Sequence, residues 1–295
     1  MKILNYQIDD TVYPGVFENG KIYNASSLYA STIDLIKDSP NCFVKIRTAL
    51  KQKILAAGPA VELAIFKTPI MYPNKLMCVA GNYIEHIKEG GNDAAKQPEF
   101  KQAPWLFLVP PSTVMVGHKE PVLLPPKFNC IDYEGELAVV IGKKGKYIKA
   151  CDAPDYIFGY TIFNDVSERK PYMIEHVETP RQLSFWYKKS FDTFGPCGPY
   201  ITTKDEIPDP QNLKISVSVN GVKKQDCHTS QMIFSVNQLI EFVSKFMTLE
   251  PGDIISTGTP AGVGMGTGEF MKEGDIMDIT IENLGLLSNQ LQKEK

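Results

Sequence analysis

The 295-residue chain carries 22% charged and 43% hydrophobic residues and a formal charge of −3, which is ordinary for one large globular domain with an attachment, or for two domains. That balance gives no electrostatic basis for binding nucleic acid or an anionic membrane, and no window approaches the ~18 consecutive apolar residues of a membrane span. The first apolar run is too short for a signal peptide, and six cysteines without Cys-x-x-Cys pairing read as reduced thiols of a cytoplasmic protein, not as a disulfide framework or a zinc site.

Along the chain, alternating residues up to Val16-Phe17 meet Glu18-Asn19-Gly20 and resume at Lys21-Ile22-Tyr23, a hairpin whose Asn-Gly supplies the positive φ angles of a tight turn. Ser26 or Ser27 is placed to cap a short helix through Ile36. A second helix is predicted over 41–57, with Phe43, Ile46, Leu50 and Ile54 at helical spacing and Gly58 as its stop. Residues 66–73, punctuated by two prolines, read as a linker. This divides the chain into a small N-terminal α/β domain over 1–70 and a larger domain over 71–295.

Beyond residue 75 the texture turns β-rich. Strands are expected at 76–80, 105–109, 122–124, 136–141, 160–164, 213–219, 253–257 and 276–281, and Asn220-Gly221 is a second hairpin signal. Helices are few, at 83–89, 153–158 and 236–247. Strands without regular β-α-β alternation argue for an α+β fold and against a doubly wound sheet. The polar segment 90–103, with Gly91, Asn92 and Pro98, reads as a lid or as a plain exposed connection.

The most informative stretch is Asp132-Tyr133-Glu134-Gly135-Glu136, which leads into the apolar run Leu137-Ala138-Val139-Val140-Ile141. In extended chain, residues two apart point to one face with a rise of about 6.6 Å. Glu134 and Glu136 therefore project side by side, and such a pair is unfavourable when buried unless a cation or proton joins it. A solvated pair at a strand start is the plainer alternative. A further apolar strand ends in Asn164-Asp165. Asp165 would complete an all-oxygen set suited to Mg²⁺ or Mn²⁺, with Ca²⁺ as an in-vitro substitute; spacing alone leaves open whether the two strand ends meet or Asn-Asp is simply a turn.

His86 and Glu89 lie three apart on the expected 83–89 helix, so they are neighbours on one face. A carboxylate beside imidazole fixes its tautomer and suits it to act as a general base; a surface pair is the alternative. Lys189 could offset an oxyanion or simply be solvated. The glycine-rich run from Ser256 to Gly264 lacks a following helix and a Gly-Lys-Ser/Thr ending, so it is a poor phosphate loop and reads as a tight β connection.

Taken in order, these segments resemble the fumarylacetoacetate hydrolase family over roughly residues 75–282. The likeness lies in Cys78 followed by Asn82-Tyr83-x-x-His86-x-x-Glu89, in Glu134-x-Glu136 with Asn164-Asp165, in Lys189-Ser190-Phe191-Asp192-Thr193-Phe194 followed by Gly198-Pro199, and in Thr257-Gly258-Thr259-Pro260-x-Gly262-Val263-Gly264. The resemblance implies a β-rich mixed sandwich roll, a homodimer and a Mg²⁺ or Mn²⁺ ion on Glu134, Glu136 and Asp165. It further implies His86–Glu89 as the water-activating pair, Lys189 as a charge stabiliser, and Tyr83, Arg169, Tyr172 and Thr259 as substrate contacts. The chain departs from the family in two places: Tyr172 stands where a glutamine is common, and Ala80-Gly81 lacks a basic residue often found there.

The expected activity is metal-assisted hydrolysis of a C–C bond in an acylpyruvate or β-diketo acid. Oxaloacetate decarboxylation, or isomerisation of the 2-hydroxyhepta-2,4-diene-1,7-dioate type, is the alternative at the same site. A catalytically silent, metal-stabilised binding protein is the alternative of another class.

Overall fold

A computed structural model describes residues 1–90, 103–170, 173–174, 177–178 and 187–294. Two β-sheets dominate it, and the α+β class read from the sequence is what the chain adopts. The larger sheet has eleven strands. Its centre is an antiparallel trio, Gly135–Ile141, Ile157–Asn164 and Gly195–Thr203, buried along its whole length. Beside Gly135–Ile141 runs Ile254–Ser256, then Leu76–Ala80 in parallel, with Trp105–Leu108 beyond it. On the other flank Gly195–Thr203 pairs with Lys2–Ile8, and Thr11–Glu18 and Lys21–Asn24 follow. The first seventy residues thus share backbone hydrogen bonds with the rest of the chain, and Ile65–Lys67, which overlaps the start of the expected linker, is itself a strand paired to Lys2–Ile8.

The smaller sheet has five strands: Val222–His228, Lys214–Val219, Ile276–Ile281, Gly285–Lys293 and Val122–Leu124. Strand periodicity sorts the Gly135–Ile141 side chains between two cores. Leu137, Val139 and Ile141 join Ile215, Val217, Ile279 and Ile281 of the smaller sheet. Ala138 and Val140 turn the other way and join Leu35, Ile36, Cys42 and Ile46. Each large aliphatic side chain so buried contributes about 1.5–3 kcal/mol. By the same alternation Gly135 faces the smaller sheet, where an added Cβ would lie 2.4 Å from Val217 Cγ2. Glu134 and Glu136 therefore turn to the opposite face.

Both Asn-Gly hairpins form, with positive φ at Asn19, Gly20, Asn220 and Gly221. Helix Val236–Phe246 has the capping box of Ser235 and Gln238 and buries Val236, Leu239, Ile240 and Val243. Three expectations are corrected. The first helix is Thr32–Lys37, capped by Ser31, because Ser26 is held in a turn by Asn24 Oδ1, which accepts from its amide at 2.8 Å. The second helix stops at Lys51: Lys53 has φ +56° and Ile54 turns to solvent. The expected 153–158 helix is one 3₁₀ turn, Ala153–Tyr156, running directly into a strand.

Candidate active site

Antiparallel pairing brings the two acidic strand ends together. Gly135 lies opposite Asn164, so Glu134 and Asp165 flank the same rung. The Asp165 amide donates to the Glu134 carbonyl at 3.0 Å, and the Glu134 amide donates to Asn164 Oδ1 at 2.9 Å. Glu134, Glu136 and Asp165 are all buried, and one carboxylate oxygen from each lies within 4.8 Å of the others.

Lys189 enters this cluster as well. Its Nζ donates at 2.7 Å to Glu134 Oε2, to Asp165 Oδ2 and to Ser167 Oγ, and the side chain is only 4% exposed. Its charge is thus engaged with the carboxylates themselves. Arg169 donates through Nε to Asp132 Oδ2 at 2.8 Å and through Nη2 to Glu134 Oε1. Glu136 differs from its neighbours. It accepts from Ser256 Oγ at 2.5 Å and from the Gly258 amide at 2.9 Å, and no cation among the described residues forms an ion pair with it.

The electrostatics follow from that division. Burial opposes charge on Glu134, but Lys189, Arg169 and His86 more than offset it and hold the carboxyl at about 2. Burial lifts Asp165 to about 6 despite the attraction of Lys189. Burial, with repulsion from Asp165 and Glu134, pushes Glu136 well above the usual carboxylate range. When all are ionised, Asp132, Glu134, Glu136 and Asp165 outnumber Lys189 and Arg169 by two charges. A divalent cation matches that deficit, and the all-oxygen donors suit a hard one. The residues present fit such an ion.

His86 and Glu89 sit on the helix Ile84–Glu89. His86 Nδ1 lies 2.8 Å from Glu89 Oε2, and Glu89 Oε1 accepts from the Gly262 amide at 2.7 Å. Both side chains are only partly covered, at 13% and 16% exposure. The loop that receives Glu89 is the glycine-rich run, which does continue into a short helix, Gly264–Thr267, contrary to the sequence reading. Gly262 has φ +105° and lies so close to Lys224 that a Cβ would approach its carbonyl oxygen to 2.1 Å, so glycine is required there.

The remaining expected residues divide. Tyr83 is buried, and its Oη has no hydrogen-bond partner among the described residues. Thr259 is buried with its hydroxyl engaged inside the protein, donating to the Gly135 carbonyl at 3.2 Å and accepting from Gln225 Nε2 at 2.9 Å. Tyr172 and most of 90–103 lie outside the described residues.

The sequence reading gave no role to Asp132, Ser256 or Gln225. Asp132 was within reach, since it extends the period-two series through Glu134 and Glu136. Gln225, fully buried, joins Thr259, the Pro260 carbonyl and the Gly135 amide; it comes from the smaller sheet, and no local pattern marks it.

The model of the fumarylacetoacetate (FAA) hydrolase C-terminal domain matches residues 75–292. The chain belongs to this family. Among its relatives, oxaloacetate tautomerase FAHD2A, mitochondrial, of Bos taurus is 42% identical over 268 residues, covering 90% of this chain and 81% of that protein. Oxaloacetate tautomerase YisK of Bacillus subtilis is 44% identical over 227 residues, covering 76% and 71%. Among solved structures, maleylpyruvate hydrolase from Sphingobium sp. SYK-6, in complex with manganese(II) and pyruvate, superposes with a TM-score of 0.81 at 29% identity, covering 100% of both chains.

Proposed function

We propose that this family member is a divalent-metal enzyme that moves a proton between carbon and oxygen of a small 2-oxo acid, with keto–enol tautomerisation of oxaloacetate as its reaction. The observation that carries it is the buried cluster of Glu134, Glu136 and Asp165, in which Glu136 forms no ion pair with a cation among the described residues, while the charge of His86 acts on Glu134. The tautomerase names of relatives 42% and 44% identical support this enolate chemistry over the C–C hydrolysis that the sequence alone suggested.

Glu134, Glu136 and Asp165 would hold the cation. Bound there, it would supply a Lewis acid that withdraws charge from the 2-oxo oxygen. Glu89 accepts from His86 Nδ1–H and fixes the imidazole tautomer, which leaves Nε2 to take a proton from the carbon beside the 2-oxo group or return it. The proton moves within one substrate, so no water is consumed. Lys189, tied to Glu134 and Asp165, keeps two of the ligands ionised and oriented, a role that differs from direct contact with a substrate oxyanion.

The test is decay of the ultraviolet absorbance of enol-oxaloacetate with Mg²⁺ or Mn²⁺, with pyruvate release followed in parallel. The expected result is accelerated loss of the enol without pyruvate. A rate equal to buffer and metal alone would overturn the reading.

Hydrolysis of an acylpyruvate is the second reading, favoured by the likeness to maleylpyruvate hydrolase. The same His86–Glu89 pair would then activate a water, and cleavage of an acylpyruvate to pyruvate and a carboxylic acid would favour it.

A further inference from the structure

Asp132 is fully buried, yet it is not one of the three clustered carboxylates. Three of the four hydrogen bonds its side chain accepts lead to parts of the site. Oδ1 accepts from the Gly264 amide at 2.6 Å and from its neighbour Tyr133 at 2.9 Å. Oδ2 accepts from the Met265 amide at 3.0 Å and from Arg169 Nε at 2.8 Å. Arg169 in turn reaches Glu134. The loop that Asp132 grips at Gly264 and Met265 also grips Glu89 through the Gly262 amide, and Gly266 lies so close that a Cβ there would meet Glu89 Oε1 at 2.4 Å.

We propose that Asp132 is a positioning residue for the metal site: its charge holds the Arg169 guanidinium by one edge, and so limits how far Arg169 neutralises the ligand Glu134. The inference rests on the metal reading above. Arg169 is a cation shared by two buried carboxylates. If Asp132 loses its charge, Arg169 is left with Glu134 as its sole counter-ion among the described residues, and it competes with the metal for that carboxylate. Groups that orient metal ligands in this way typically change metal affinity roughly 10–100-fold when altered. The grip on Gly264 and Met265 gives Asp132 a scaffold role as well, so the test must separate the two.

Mn²⁺ binding by calorimetry does so, because it needs no turnover. Asp132→Asn is expected to weaken Mn²⁺ roughly tenfold or more, and the double variant Asp132→Asn/Arg169→Gln to regain most of that loss, because the competing cation is gone. A merely structural role would lower the melting temperature and leave the double variant no better than the single one. Should Asp132→Asn not fold, Arg169→Gln alone decides: tighter Mn²⁺ binding is expected, and weaker binding overturns the inference. Unchanged affinity in Asp132→Asn, or no recovery in the double variant, overturns it too. Wild-type protein that binds no Mn²⁺ overturns the metal reading with it, whereas a failure to turn over oxaloacetate with normal Mn²⁺ binding touches only the proposed reaction.

Discussion

Glu136→Gln is the change that separates metal binding from folding. Glu136 lies within 4.8 Å of both other carboxylates. At an effective dielectric of about 20, two unit charges that far apart repel by about 3.5 kcal/mol. In the metal-free protein that repulsion acts from two sides, relieved in part by protonation. Gln is nearly isosteric; its oxygen keeps the Ser256 and Gly258 hydrogen bonds, and its amide turns a repulsion toward Asp165 into a donor. The metal-free variant should therefore melt at or above the wild-type temperature. A cation at a hundred times its dissociation constant stabilises the wild type by about 2.7 kcal/mol, or roughly 4 °C in a chain of this size. Thermal melting with and without Mn²⁺ reads both terms. The expectation is an upward shift in wild type and none in Glu136→Gln. A metal-free variant several degrees less stable, or a wild-type-sized shift with Mn²⁺, would refute the reasoning.

His86→Asn should lower kcat by about 10²–10⁴-fold while Mn²⁺ affinity stays within a few-fold of wild type; equal loss of both would mean that His86 acts on the metal and not on the proton. Lys189→Met leaves Glu134 and Asp165 without their shared cation, and breaking a buried pair from one side typically destabilises by about 3–5 kcal/mol; urea unfolding of the metal-free variant should show this, with Mn²⁺ recovering part of it. Burial, with the nearby Lys119 charge, pushes His118 down to about 4, so the unfolded chain protonates first on acidification. Stability held by this group is full above about pH 6.5 and drains as the pH falls toward 4, and His118→Gln should flatten urea midpoints across that window. An unchanged slope would show that His118 is not the group responsible.

What the sequence revealed of the fold is what local chemistry determines. Asn19-Gly20 and Asn220-Gly221 announce their hairpins because few residues accept positive φ, and Ser235 with Gln238 announces a helix start. Strands 76–80 and 276–281 appear where expected because their apolar runs are bounded by turns. The strand Gly195–Thr203 was hidden, since Gly-Pro-Cys-Gly-Pro reads as a turn; only its burial between two partner strands reveals it as central. Gly285–Lys293, with its polar alternate residues, was hidden as well. At the site, spacing placed Glu134 beside Glu136 and His86 beside Glu89, as found. The meeting of Asp165 with Glu134 is decided by the register of two strands, which sets Gly135 opposite Asn164. The entry of Lys189 into the carboxylates is decided by tertiary packing, which no spacing encodes.

Gly135 gives the carboxylate pair a rule of its own. A side chain there would press on Val217 and Ile279 across the gap between the sheets, and the strand would have to lift, carrying Glu134 and Glu136 with it. The position between the two glutamates is thus set by the thickness of the interior and not by the chemistry on the opposite face. In this chain the close approach of the second sheet thereby narrows the pattern Glu-x-Glu to Glu-Gly-Glu.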